Sequence, residues 1–261
     1  MNNYALEQAE ELFEQALEYF LGIEKEKNMI HAKELLQQSS ELGLSKSSNL
    51  LGDWYIKKII PGDNYKEAFK LYTRGCEFGD MRSFSRLAMC YEKGYGIKKD
   101  IPKALELYEK SVELGNKDAC FSIARIYEKG ENIKMDLSKA ILWYKRGYEK
   151  GDADCACNLA TCYYKGKGIE QNIEKAKEIF LAFSEYNTQN QRNLGVIFYK
   201  GTHSCKPNEE EAIYWFTKAA NNGDITSMLH LGKIYKNLDK EKAMEWYRKA
   251  GSLDHKKAAY S

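Results

Sequence analysis

Apolar and polar positions along the chain repeat with a period of 36 residues. Alanine recurs at this step, and large apolar residues stand three and four places after it, as Leu107 and Tyr108 do after Ala104. A small residue followed one turn later by bulky ones makes a buried stripe on a helix. The recurring alanines are Ala32, Ala68, Ala104, Ala140, Ala176 and Ala212, and a shorter step reaches Ala243. The pattern predicts one helix per period, which we call helix B.

Signals for helix ends frame each helix B. Four residues before every alanine stands an Asx residue, whose short side chain can cap the first turn of a helix. These predicted N-caps are Asn28, Asn64, Asp100, Asp136, Asn172, Asn208 and Asp239. Eleven residues after the alanine stands glycine or a substitute for it, as left-handed backbone at a helix end requires. These predicted stops are Gly43, Gly79, Gly115, Gly151, Asn187, Gly223 and Asp254.

A second helix, helix A, is predicted before each helix B. An aromatic residue precedes every cap, and a small residue stands three places before the aromatic, so that a neighbouring helix can approach closely. The aromatics are Tyr19, Tyr55, Tyr91, Tyr127, Tyr163, Phe198 and Tyr235. The glycines of the loop between the helices, Gly94 and Gly96, are spaced as in a phosphate-binding loop. Because they recur as Gly166 and Gly168, they are predicted to form a turn instead.

The sequence therefore predicts an all-α fold of seven antiparallel helix hairpins of about 36 residues. No single hairpin can bury its own stripe, so we expect neighbours to stack into a right-handed α-solenoid. The linear repetition predicts a single domain over residues 1–261. Its units are approximately 5–43, 44–79, 80–115, 116–151, 152–187, 188–223 and 224–254, and 255–261 are predicted to start a further helix.

This pattern resembles the Sel1-like repeat family, a relative of the tetratricopeptide repeats. The third unit carries the resemblance in Leu87, Ala88, Tyr91, Gly94, Gly96, Ile97, Asp100, Lys103, Ala104, Leu107, Tyr108 and Gly115. The resemblance covers nearly the whole chain and implies the solenoid fold, whereas the motif residues are structural and imply little about function. Together with a composition rich in Lys, Asn and Ile, it suggests a bacterial protein. In one secreted branch of the family, paired cysteines form a disulfide within each hairpin. This chain lacks that recurring pair.

Charge and hydropathy narrow the classes of partner. The chain has 40 basic and 38 acidic residues, so neither nucleic acid nor an acidic membrane surface is expected as a partner. No apolar run approaches the roughly 18–20 residues that span a bilayer. The acidic, amphipathic start of the sequence lacks the features of a signal peptide, which leads us to expect a cytoplasmic protein.

Four of the seven cysteines are candidate metal ligands because they lie near one another in the repeat pattern. They are Cys155, Cys157 and Cys162, with Cys120 one unit earlier. On a helix, residues 155 and 162 lie about 10 Å apart along the axis, too far for a disulfide. No histidine completes a zinc set. Cys162 also occupies a position that isoleucine fills in other units, so we expect buried thiols, without metal or cofactor. Trp54 does not recur between units and is expected to be partly exposed.

Catalytic signatures are not found in the sequence, and the four histidines, His31, His203, His230 and His255, are scattered over different units. We therefore expect a protein that is not an enzyme. The remaining candidate is the helix A face, the positions nine, five and two residues before each helix A aromatic. These positions avoid the buried stripe, vary between units and are expected to line the concave side of the solenoid.

The predicted partner-binding residues on the helix A face are Arg82, Arg86, Arg125, Asn158, Asn193, His230 and Lys233. Arginine and asparagine suit the recognition of a carboxylate or a peptide backbone. We therefore expect a scaffold that binds a protein or peptide in its groove. An immunity-type protein that neutralises a bacterial toxin, self-association through the C-terminal helix, an enzyme with a site between units, and a merely solvated face remain alternatives.

Overall fold

The structure, a computed structural model, describes residues 3–23, 25–62, 64–185, 187–202 and 206–259. The side chains of residues 3 and 254–259 lie outside the description. The predicted buried thiol of Cys205, and two of the scattered histidines, His203 and the side chain of His255, therefore lie outside the described residues.

Fourteen helices, and no strand, are formed by the residues that the structure describes. They are α1 (Asn3–Leu21), α2 (Met29–Glu41), α3 (Ser45–Ile56), α4 (Asn64–Glu77), α5 (Met81–Lys93), α6 (Ile101–Glu113), α7 (Asp118–Lys129), α8 (Leu137–Glu149), α9 (Ala153–Lys165), α10 (Ile173–Ala182), α11 (Thr188–Lys200), α12 (Glu209–Asn221), α13 (Ile225–Leu238) and α14 (Lys240–Ala259). The odd-numbered helices are the predicted helices A and the even-numbered ones are the helices B.

The chain divides into two compact units, Met1–Met135 and Asp136–Ser261. In unit 1, α1 packs against α2, α3 against α4 and α5 against α6, and each helix B also contacts the helix A that follows it. Unit 2 repeats this arrangement with α9 and α10, α11 and α12, and α13 and α14. Each unit is therefore built from stacked helix pairs, while the single domain over residues 1–261 stays a prediction.

The predicted Asx caps are confirmed at six of the seven helices B. In α6, for example, a carboxylate oxygen of Asp100 accepts a hydrogen bond from the backbone N–H of Lys103 at 2.9 Å. Equivalent caps are made by Asn28, Asp136, Asn172, Asn208 and Asp239. Asn64 differs, because it is the first residue of α4 itself.

Glycine ends the helices in left-handed backbone, as predicted. The stops Gly43, Gly79, Gly115, Gly151 and Gly223 and the turn residues Gly94, Gly96, Gly166 and Gly168 all have positive φ. Gly96 also faces the backbone of α4, where an added Cβ would lie 2.3 Å from the carbonyl oxygen of Tyr65. The glycine pair after α5 is therefore a packed turn, which confirms that interpretation of its sequence.

Two predicted stops are wrong. Asn187 has a φ of −148° and caps α11, its side chain accepting hydrogen bonds from the N–H groups of Gln189 and Asn190. An N-cap requires extended backbone, so the residue cannot also be a left-handed stop. At Asp254 the backbone stays helical, and residues 255–259 continue α14 instead of starting a further helix. No glycine is present there to lower the cost of left-handed backbone.

The second bulky residue of helix B lies in the core in α4, α6, α8, α10 and α12. Tyr72 and Tyr108 in unit 1, and Tyr144, Phe180 and Phe216 in unit 2, are at most 3% exposed. Where helix A carries glycine as its small residue, the ring approaches the backbone itself: an added Cβ at Gly195 would lie 2.5 Å from Phe216. The small and bulky columns of the sequence thus pack against each other.

The expected partial exposure of Trp54 is wrong. Its side chain is only 2% exposed, because Phe20 of α1 covers it with ring centroids 4.7 Å apart. An aromatic residue on the preceding helix A is the reason that this non-recurring tryptophan can be buried.

Candidate functional site

The predicted partner-binding residues fall into two groups, one in each compact unit. Arg82, Arg86 and Arg125 lie on α5 and α7 of unit 1. Asn158, Asn193, His230 and Lys233 lie on α9, α11 and α13 of unit 2.

Arg86 is engaged in a half-buried ion pair. Its Nε and Nη2 atoms donate to the two carboxylate oxygens of Asp53 on α3, at 2.7 and 2.6 Å. The hydroxyl of Tyr72 donates to the same carboxylate at 2.7 Å. The side chains of Arg86 and Asp53 are 31% and 26% exposed, so the pair joins two neighbouring helices A near the surface. The guanidinium of Arg86 is therefore already hydrogen-bonded within the protein in the absence of a partner.

The charges of this pair stabilise each other. Burial by itself would raise the pKa of Asp53, but hydrogen bonds from Arg86 and Tyr72 outweigh it and lower that pKa. The hydrogen bond to Asp53 likewise raises the pKa of Arg86. Both side chains therefore remain charged at neutral pH, and the bidentate geometry fixes the arginine's orientation.

Arg82 lies one turn before Arg86 and is exposed. Its neighbour Asp80 caps α5 and accepts hydrogen bonds from Ser83 and from Asn49 of α3. Burial opposes ionisation of Asp80, yet these hydrogen bonds and the charge of Arg82 lower its pKa. Arg82 is therefore an exposed cation close to a carboxylate that already accepts hydrogen bonds within the fold.

Arg125 lies in a charged cavity of unit 1. The cavity has a volume of about 120 Å³ and lies between the ends of α5 and α7 and the start of α6. Its floor contains Ile101 and Ile126, which are 4% and 7% exposed. Its charged lining consists of Lys93, Lys99, Arg125 and Lys129 with Glu92 and Glu131. Cations therefore outnumber carboxylates in this cavity.

His230 is the half-buried residue of the helix A face in unit 2. Its ring stacks on Phe216 with centroids 4.7 Å apart and planes 7° from parallel. Burial lowers the pKa of His230; Lys233 lowers it further, while Asp224 opposes the shift. The imidazole is therefore neutral at physiological pH.

Replacing His230 with glutamine is expected to reduce the loss of stability on acidification from about pH 8 to about pH 5.5. Its folded-state pKa lies below the unfolded value of about 6.5, so the unfolded chain binds the proton first as the pH falls. Stability is therefore full above that unfolded pKa and declines in the window below it. Urea denaturation at both pH values measures the effect.

Titration of the His230 imidazole by NMR is the direct check on this prediction. Its midpoint should lie below the ordinary value and rise in a Lys233→Gln variant, which removes a neighbouring charge. A midpoint at or above about 6.5 in the unaltered protein contradicts the prediction.

The other predicted residues of unit 2 differ in exposure. Asn158 is half-buried and donates to the backbone carbonyl of Asp154 at 2.8 Å, so part of its amide is used within α9. Asn193 is half-buried and Lys233 is exposed. A residue that the sequence did not single out, Arg192, pairs with Asp224 at 2.7 Å between α11 and α13. This ion pair takes the place in unit 2 that the hydrogen bond from Asn49 to Asp80 takes in unit 1.

Sequence reasoning missed the residues that hold this face together. Asp53 stood on the predicted face but was not paired with Arg86, and Lys99 was not noticed. The separation in the sequence could have identified the ion pair. Asp53 and Arg86 are 33 residues apart, and Lys218 and Glu185 pair at the same separation. Opposite charges nearly one period apart in the sequence are neighbours in a stacked repeat.

The predicted burial of the thiols is confirmed at five of the six described cysteines. Cys90, Cys120, Cys155, Cys157 and Cys162 are buried and Cys76 is half-buried. Burial raises the pKa of the Cys157 thiol to about 12. Within the described residues, no three His, Cys, Asp or Glu side chains are placed to hold a metal ion. No helix in the same part of the chain is long and apolar enough to cross a membrane.

Comparisons with known proteins agree with this architecture. The sequence model of the Sel1 repeat matches residues 16–44, 48–80, 85–116, 117–152, 153–184, 191–224 and 227–255. No match is found among curated proteins. The matched segments confirm the predicted all-α solenoid of about seven repeats.

Solved structures show the same fold. A Sel1 repeat protein from Oxalobacter formigenes has a TM-score of 0.75 at 24% identity, covering 95% of this chain and 99% of that one. A protective antigen of uropathogenic Escherichia coli with an SLR fold has a TM-score of 0.63 at 24% identity; 94% of this chain is covered, and it spans 61% of that chain's length. An immunity protein from Pseudomonas aeruginosa has a TM-score of 0.52 at 18% identity, covering 83% of each chain. All three are bacterial, in line with the predicted origin.

Proposed function

Because the chain belongs to the Sel1 repeat family, we propose that it is a non-catalytic scaffold that binds a protein or peptide partner through its helix A face. Sel1 repeat proteins are generally protein-interaction scaffolds. The finer assignment to this face rests on the placement of particular side chains in each unit.

The observation that carries the proposal is the contrast between a constant interior and a varied exterior. Five helices B, α4, α6, α8, α10 and α12, each bury an aromatic ring in the core of their unit. The helix A face instead carries an exposed arginine, Arg82, a half-buried amide, Asn158, and an exposed lysine, Lys233. Packing explains the constant positions but not the varied ones, which suit recognition of a partner.

Arg82 and Arg125 are the residues of unit 1 that we propose to contact the partner. Arg82 is exposed, and Arg125 reaches the cavity beside the cation–π contact that it makes with Phe121 at 5.7 Å. Arg86 has a different role in this proposal, because its ion pair with Asp53 is needed to hold the two helices A. It positions the face and contributes little free charge to it.

The experiment that tests the proposal is quantitative affinity capture from the native cell. The double variant Arg82→Glu and Arg125→Glu should retain less than about a tenth of the partner, because it reverses two charges at the proposed contact. The matched control, Lys70→Glu and Lys110→Glu, reverses two exposed charges on helices B and should retain nearly all of it. Equal capture by both variants, each with unaltered circular dichroism, contradicts the proposal.

Neutralisation of a toxin, as an immunity-type protein, is the second candidate function. The observation in its favour is the structural likeness to the Pseudomonas aeruginosa immunity protein, which at 18% identity extends to the fold alone. The captured partner provides the test: expressed alone it should arrest growth, and co-expression of this chain should restore growth. A partner that is harmless by itself rules this candidate out and leaves the general scaffold role in place.

A further inference from the structure

Two cations of the unit 1 cavity, Lys99 and Arg125, make no ion pair with a carboxylate among the described residues. Lys99 is exposed and precedes the capped start of α6, and Arg125 lies half-buried on α7. They reach the same cavity from different helix pairs. Two unpaired positive charges that converge on one concave site attract an anionic group.

The two carboxylates of the cavity are already engaged by the protein. Glu92 accepts a hydrogen bond from the buried hydroxyl of Tyr108 at 2.9 Å and pairs with Lys93 at 2.6 Å. Glu131 lies 3.8 Å from Lys129. Internal pairing therefore accounts for one cation per carboxylate and leaves the charges of the other two cations for a ligand.

We propose that this cavity seats the side-chain carboxylate of a glutamate in an acidic partner segment, between Lys99 and Arg125. The inference rests on the proposed function, because it names the partner chemistry for part of the helix A face. The guanidinium of Arg125 can hold a carboxylate in bidentate geometry, while the ammonium of Lys99 acts as a second, adaptable donor.

The remaining lining favours a carboxylate over a phosphate. Glu92 and Glu131 would repel a dianion more strongly than a monoanion. Ile101 and Ile126 offer an apolar floor against which the methylene groups of a glutamate can pack. A volume of about 120 Å³ suits one side chain, so we expect a single glutamate to enter while the rest of the segment stays outside.

The test is an NMR titration of the full chain at low ionic strength. The probe is an acetylated, amidated peptide of alternating glutamate and glycine, and its matched control replaces each glutamate with glutamine. The glutamate peptide should shift the backbone amides of Lys99, Arg125 and Ile126, and the glutamine peptide should not. Arg125→Gln and Lys99→Gln should each weaken binding at least about fivefold, because each removes a charge-assisted contact.

A Lys110→Gln variant is the control for net charge, because it removes one exposed cation from α6 outside the cavity. It should change binding less than about twofold, as expected for a screened surface charge. Equal weakening by Lys110→Gln overturns the inference, as does the absence of shifts at the cavity amides. Inorganic phosphate that produces the same shifts at lower concentration than the peptide also overturns it, since the site would then prefer a different anion.

The NMR titration and the capture experiment test the two proposals independently, so that one proposal can be wrong while the other stands. If the glutamate peptide does not bind but the double charge reversal abolishes capture of the partner, the cavity inference is wrong and the scaffold role stands. If the peptide binds at the cavity but capture does not depend on the helix A face, the proposed function is wrong.

Discussion

Replacing Phe216 with alanine is expected to lower the free energy of unfolding by about 4 kcal/mol, the range for removing a fully buried aromatic ring. Phe216 is 0% exposed and packs with Met228, Leu231 and Ile234 in the core of unit 2. Its ring also lies against the backbone of Gly195. Because helices from successive repeats meet around this ring, we expect the cavity left by the substitution to stay largely open. Urea denaturation followed by tryptophan fluorescence measures the loss.

Tyr214→Ala is the matched control, since it removes a neighbouring aromatic ring from the same helix. Tyr214 is 55% exposed, so its removal should cost less than about 1 kcal/mol. Similar losses for the two variants would contradict the assignment of the helix B aromatics as the source of core stability.

Arg86→Met is expected to lower the free energy of unfolding by about 3 kcal/mol, because it leaves the half-buried carboxylate of Asp53 without its charged partner. The methionine keeps much of the packing of the arginine stem, so the loss reports mainly on the charge. Denaturation of the variant at neutral pH gives the value. Lys110→Met, which breaks an exposed pair with Glu113, should cost less than about 1 kcal/mol.

A double-mutant cycle separates the ion pair from other effects of the substitution. In an Asp53→Asn background the carboxylate is absent, so Arg86→Met should cost at least about 1 kcal/mol less than in the unaltered chain. Additive losses would show that the two side chains do not stabilise each other. A coupling of this size would support our inference that Arg86 acts through the fold.

The fold could be predicted from the sequence because its determinants are local. A cap four residues before an alanine and a glycine eleven residues after it define one helix, whatever surrounds it. Asn187 shows the limit of this reasoning, because asparagine is suited both to a left-handed stop and to an N-cap. Only the early end of α10 at Ala182, which leaves Asn187 beside the next helix, decides between them.

The helix A face could be predicted less completely, because exposure and pairing depend on neighbouring repeats. The sequence placed Arg82, Arg86 and Arg125 on one face, but it treated them as equivalent. In the structure Arg82 is exposed, Arg86 is held by Asp53, and Arg125 lies in a cavity. These differences arise from residues about one period away, which a helix-by-helix analysis does not compare.

The rates at which the buried cysteines are modified can report local opening of the structure. Cys90 in unit 1 and Cys157 in unit 2 are buried, and burial raises the pKa of each thiol to about 12. A thiol-specific reagent needs an accessible thiolate, so modification at either position must wait for the surrounding helices to separate. The rates at the two cysteines, compared with those of the denatured chain, would therefore give a separate opening free energy for each neighbourhood.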